Sequence, residues 1–163
     1  MARRVFGYRT PMMRWMVPLI FGMFAIAAIG LTAATIAGNG PPMLFTVLWV
    51  SAAVWNAYWF LWRIGFSIEV DGTTVTWRAA LRRRELTLSD LTGNGSLWMN
   101  LDRIKVQEGR SLLVMPGDRS WVTFLDALNE VHPGHPFAPT TMNRLAAKWP
   151  LSGMFTGYYD TLM

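Results

Sequence analysis

The chain has 163 residues, 52% of them hydrophobic and only 15% charged, with a net charge of +5 and no cysteine. That length holds one ordinary soluble domain, or a smaller domain plus membrane spans, and the lack of cysteine excludes disulfides and thiolate chemistry. The positive balance excludes a nucleic-acid partner: Arg3, Arg4, Arg9 and Arg14 supply four charges at the start, whereas residues 63–163 carry eleven basic against ten acidic side chains. A nucleic-acid binder needs its excess on the folded domain.

From Trp15 to Trp62, 48 consecutive residues contain no Asp, Glu, Lys or Arg. A soluble helix keeps a charged outer face, and an uncharged apolar run of 18 or more residues reads as a membrane span. Gly38-Asn39-Gly40-Pro41-Pro42 divides the run, which predicts one span over 15–37 and a second over 42–62. At 1.5 Å per residue these extend roughly 34 and 31 Å, enough for a hydrocarbon core of about 30 Å.

Four arginines precede the first span, Arg63, Arg78, Arg82, Arg83 and Arg84 follow the second, and the loop is uncharged. The positive-inside rule then puts both termini in the cytoplasm, and Tyr8, Trp15, Tyr58, Trp59 and Trp62 cluster at the same interface. Arginine outnumbers lysine thirteen to two, a bias that points to a GC-rich bacterial genome and so to a bacterial cytoplasmic (inner) membrane. Arg3-Arg4-Val5-Phe6 also fits the start of a twin-arginine export signal, but the apolar core is too long for one and a second full span follows.

Within the spans, Ala27, Gly30, Ala34 and Ala37 form one small-residue face, and Ala53 and Ala57 another, suited to close helix packing. Trp55, Trp59 and Trp62 recur at i, i+4 and i+7. They read as interfacial anchors or as a docking stripe for a partner subunit or lipid. Asn56, polar within the second span, is expected to bond across the hairpin.

After residue 65 the period changes to two. Phe66, Ile68 and Val70 alternate with Ser67 and Glu69, Asp71-Gly72 signals a turn, and Val75 and Trp77 alternate with Thr74, Thr76 and Arg78. Further strands are expected over 85–91, 97–101, 104–108 and 111–115, with Asn94-Gly95, Gly109 and Pro116-Gly117 as turn residues, making an antiparallel meander. Trp121, Phe124, Leu125 and Leu128 at i, i+3, i+4 and i+7 then predict an amphipathic helix ending at Pro133-Gly134.

Ile68-Glu69-Val70-Asp71-Gly72, Val75-Thr76-Trp77-Arg78, residues 84–91 and Phe124-Leu125-Asp126-Ala127-Leu128, following two spans, carry a resemblance. The arrangement resembles small bacterial membrane proteins with a pleckstrin-homology-like (PH-like) domain beside a transmembrane hairpin. The resemblance covers roughly residues 14–133. It implies an antiparallel β domain of six to seven strands closed by a C-terminal helix, serving as a non-catalytic binding or assembly module. The expected organisation is a basic cytoplasmic N-terminus over 1–14, a hairpin over 15–62 with its loop at 38–42, the PH-like domain over 63–133, and a linker, short amphipathic helix and aromatic tail over 134–163.

No motif identifies a reaction, metal or cofactor. His132 and His135 flank Pro133-Gly134 at a helix end with no cysteine near, and neither a Gly-x-Ser-x-Gly elbow nor a phosphate-cradling glycine loop occurs. The expectation is no enzyme and no cofactor. Arg82-Arg83-Arg84 with Arg63 and Arg78 could engage anionic headgroups, or simply set topology. In the tail, Thr140 or Thr141 caps a helix carrying Met142, Leu145, Ala146 and Trp149 at i, i+3, i+4 and i+7, followed by Phe155, Tyr158 and Tyr159. These aromatics pack on the protein's own sheet or dock on a partner. Two functions follow: an accessory or assembly subunit of a larger membrane complex, or a module that binds anionic membrane lipid.

Overall fold

A computed structural model describes residues 4–98, 101–115, 119–134, 136–148 and 156–162. It contains two long apolar helices, an eight-stranded mixed open sheet and two shorter helices. The first helix, α1 (Pro11–Ile36), starts with proline in its first turn, where a missing N–H costs nothing. A turn leads to α2 (Met43–Tyr58), whose last turn widens into a π-helical segment, Trp59–Arg63. Residues 11–36 and 43–63 are each long and apolar enough to cross a membrane. The Thr35 and Thr46 hydroxyls bond across the pair at 2.7 Å, and Phe21–Phe60 and Phe24–Trp49 ring contacts bridge it lower down. Asn56 does not bond across the hairpin; its Nδ2 donates to Ala52 O on its own helix at 2.8 Å.

The sheet begins before α1. Strand β1 (Arg4–Arg9) pairs antiparallel with β2 (Ile64–Asp71), so the chain entering α1 and the chain leaving the π segment lie side by side. The reading of residues 1–14 as only a basic flank is corrected here: Phe6 and Tyr8 are core residues, and Arg4 is tied to Asp160 and Glu130. On the other edge of β2, β3 (Thr74–Ala79) and β4 (Arg83–Thr87) follow as antiparallel neighbours. A short 3-10 turn, Leu88–Asp90, leads to β5 (Leu91–Trp98), β6 (Leu101–Val106) and β7 (Leu112–Val114).

The sheet is not a pure meander. Ile64 and Gly65 of β2 pair parallel with Leu113 and Val114 of β7, while Ser67–Asp71 pair with β1, so β1 and β7 share one edge of β2. Gly65 is required at this fork because a Cβ there would strike the Trp77 ring, whose Nε1 donates to Leu113 O at 3.1 Å. Asn94 and Gly95, expected in a turn, lie inside β5 and pair with Ile104 and Arg103. The Asn94 side chain instead brackets Ala138, bonding both its N–H and its carbonyl at 2.9 Å.

The amphipathic helix forms as its spacing predicts: α3 (Arg119–Val131) buries Trp121, Phe124, Leu125 and Leu128 against the sheet. A shorter helix, α4 (Thr141–Ala146), is capped by Thr140, whose Oγ1 accepts from Asn143 N. Strand β8 (Gly157–Leu162) then pairs with β1 along its whole length. Residues 4–9 and 157–162 therefore belong to the same sheet as residues 64–114, a wider unit than 63–133.

Candidate functional site

Strand register assembles a row of arginines where the helix pair joins the sheet. Arg9 pairs with Ser67, Ser67 with Arg78, and Arg78 with Arg83. Paired residues project to one face, and strands lie about 4.8 Å apart, so three guanidinium-bearing positions span about 14 Å of one sheet face. The next row along, Tyr159–Gly7–Glu69–Thr76–Glu85, belongs to the same face.

The first turns of α1 supply the opposite wall, with Pro11, Arg14, Trp15 and Pro18. Between them lies an open groove of about 780 Å³, which Arg82 and Leu81 also line. Five arginines and one carboxylate, Glu69, border it. Glu69 accepts a 2.5 Å hydrogen bond from the Tyr159 hydroxyl, and the Arg9 guanidinium sits 5.2 Å above the Tyr159 ring centre. Burial, and then the bond to Glu69, raise the Tyr159 hydroxyl pKa well above the usual tyrosine range. It therefore stays a donor throughout the physiological range. Arg83 pairs with Glu85. Among the described residues no carboxylate lies within ion-pair distance of Arg9, Arg14, Arg78 or Arg82. The groove therefore presents net positive charge: five arginines against Glu69, with Arg83 paired to Glu85 and, among the described residues, the other four in no ion pair.

Alternation along β4 divides the arginines expected to act together. Arg83 faces the groove with Arg78, whereas Arg84 pairs with Trp77, faces the other way and donates to Arg110 O at 2.6 Å. Its pKa is lowered by burial first, and then by Arg82 and Arg63. Arg63 sits over the Trp59 ring at 5.9 Å, in the π segment. So Arg78, Arg82 and Arg83 join the groove while Arg63 and Arg84 do not line it. Arg9 and Arg14, read from the sequence only as topology charges, do. The missed signal was the alternation of Phe6 and Tyr8 with Gly7 and Arg9, a strand pattern too short to separate from a basic flank.

Of the residues expected to dock a partner, Trp55 is exposed and makes an edge contact with Trp59, and Trp62 is exposed within the π segment. Leu145 is also exposed. Tyr158 and Tyr159 are committed to β8 of the protein's own sheet, and Tyr158 packs on the core. The Met142 side chain, Trp149, Phe155 and His135 lie outside the described residues. His132 follows α3 and bonds Leu91 O through Nε2 at 3.1 Å.

A second, apolar cleft of about 470 Å³ opens between the helices on the other side of α1, lined by Met16, Phe21, Phe24, Trp49, Ala53 and Phe60. Among the described residues no group of three or more His, Cys, Asp or Glu side chains is gathered for a metal ion. No protein-family model, curated protein or solved structure matches the chain.

Proposed function

We propose that this is a non-catalytic protein of the bacterial cytoplasmic membrane, spanning it twice through α1 and α2 with β1 and β8 in the cytoplasm, and that its PH-like domain engages anionic lipid headgroups in the arginine groove. The observation that carries this reading is the alignment of Arg9, Arg78 and Arg83 in one cross-strand row facing the first turns of α1. The two helices leave large apolar side chains outward along their length, including Leu19, Ile26, Ile29, Met43 and Leu44, as lipid-facing helices do. If these helices span, the arginine row lies at headgroup depth, where each basic residue adds about 1 kcal/mol of attraction to an anionic leaflet. The PH-like character is supported by two antiparallel runs, β2–β3–β4 and β7–β6–β5, touching at β2–β7, with an amphipathic helix on their core.

A second reading, an accessory subunit that docks on other membrane proteins, is favoured by the apolar cleft, which offers small and aromatic side chains to a neighbouring span. The two readings use opposite sides of α1 and are compatible.

The test is native mass spectrometry of the full-length protein in neutral detergent with equal amounts of phosphatidylglycerol and phosphatidylcholine. The wild type should retain phosphatidylglycerol preferentially, and the R9Q/R78Q/R83Q variant should retain both alike. An unchanged preference in the variant would rule out the groove as the site.

A further inference from the structure

Glu69 is out of character for a headgroup groove. It sits one row from the arginines, and its diagonal neighbours are Arg9 on β1 and Arg78 on β3, both within reach of a long side chain. A carboxylate so placed should pair with one of them and cancel part of the charge that an anion needs. Instead it is bonded by a tyrosine two strands away. Tyr159 on β8 reaches Glu69 on β2 by passing over Gly7 of the intervening β1. A Cβ at Gly7 would lie 2.6 Å from the Tyr159 hydroxyl and 2.7 Å from Ile68 O, so only glycine leaves this passage open. The same tyrosine ring carries the Arg9 guanidinium on its face.

We propose that Tyr159 is a positioning residue for the groove: by holding Glu69 out of the arginine row and Arg9 in it, the strand β8 sets the groove's affinity for anions. This rests on the anion-binding reading above. It adds a control point, because among the described residues β8 pairs with β1 alone, held there by Arg4–Asp160, Tyr159–Glu69 and the packing of Tyr158 on the core. When β8 lifts, Glu69 turns to Arg9 and Arg78 and the groove loses charge. The state of this strand is thereby converted into lipid affinity.

The experiment uses the full-length protein in neutral detergent and the fluorescence polarisation of a short-chain, fluorescent phosphatidic acid. Tyr159→Phe keeps the ring under Arg9 and deletes only the bond to Glu69. It should weaken binding about fivefold, the factor equivalent to neutralising one basic residue near a lipid surface. Adding Glu69→Gln to that variant should restore wild-type affinity, and Glu69→Gln should tighten binding more in the Tyr159→Phe background than alone. If R9Q/R78Q/R83Q binds the probe like the wild type, the anion reading itself fails and this inference goes with it. If that variant loses the probe but Tyr159→Phe binds normally, or its defect is not relieved by Glu69→Gln, the groove stands and the role of Tyr159 is overturned. Purely additive effects of the two substitutions would overturn it as well. Should Tyr159→Phe fail to fold, Tyr159→Leu, which also lacks the hydroxyl and leaves Gly7 untouched, repeats the comparison with and without Glu69→Gln, and a defect not relieved by Glu69→Gln overturns the role of Tyr159.

Discussion

The backbone N–H and the hydroxyl of Thr10 both donate to the carbonyl of Phe66, at 2.7 and 2.9 Å. Thr10 is the last residue before α1, and Phe66 sits at the bulge of β2 just after the π segment. One carbonyl thus ties the chain entering the helix pair to the chain leaving it, and the strands on either side continue that tie through five paired positions, Val5–Arg9. The helices cannot open at this end without breaking a sheet.

That clamp makes a topological prediction. With no native cysteine, single cysteines report cleanly. In right-side-out membrane vesicles, a cysteine replacing Asn39 should react with an impermeant maleimide, and one replacing Glu130 or Thr161 should react only after permeabilisation. Labelling of Asn39 and Thr161 from the same side would exclude the hairpin.

Gly7→Ala should destabilise the whole sheet domain. The new methyl would meet the Ile68 carbonyl as well as the tyrosine, and a backbone oxygen inside a ladder cannot step aside. Overpacking of this kind costs about 1–3 kcal/mol, visible as a lower midpoint when the detergent-solubilised protein is melted. A variant that melts with the wild type would show that the crossing is loose.

Asp102 gives a pH prediction. It is buried in β6, where Trp121 Nε1 and Asn143 Nδ2 both donate to Oδ2, at 2.8 and 2.5 Å, joining α3 and α4 to the sheet. Burial raises its pKa above the ordinary 3.8, more than these two bonds lower it. A raised folded-state pKa means the folded protein binds the proton more tightly than the unfolded chain. The stability so contributed is full below the ordinary value and is lost as pH rises through the folded one. Asp102→Asn should therefore gain stability relative to the wild type as pH climbs from acid, with the difference levelling off above the folded pKa. Asp102→Ala should lose about 1–3 kcal/mol at any pH, because two buried donors go unsatisfied. A wild type and Asp102→Asn pair whose stability difference is flat with pH would contradict the assignment.

What the sequence made legible follows from the reach of its local signals. The uncharged run and its Gly-Pro break located both long helices within a few residues, because apolar length and helix breakers are local properties. Alternation located β2 and β3, and the i, i+3, i+4, i+7 spacing located α3. Even the parting of Arg83 from Arg84 was implicit in a strand period of two. The row itself was not legible, since matching Arg9 to Ser67 requires two segments separated by the entire helix pair to pair in one register. For the same reason β8 read as an aromatic tail: Tyr158 and Tyr159 declare themselves a strand only beside β1. Asn94-Gly95 misled because a strong turn dipeptide was overridden by its pairing with β6 and by the bonds of Asn94 to Ala138.

Anionic headgroups are proposed to occupy the groove between the arginine row and α1. The most direct measurement places a phospholipid with a photoactivatable anionic headgroup in nanodiscs with the full-length protein, followed by irradiation, digestion and mapping. Cross-links should concentrate on residues 9–18 and 78–83, fade as unlabelled phosphatidylglycerol is added, and persist with phosphatidylcholine. Cross-links centred instead on Arg63, Arg84 and Arg110, or spread evenly over every exposed residue near the helix pair, would contradict the account.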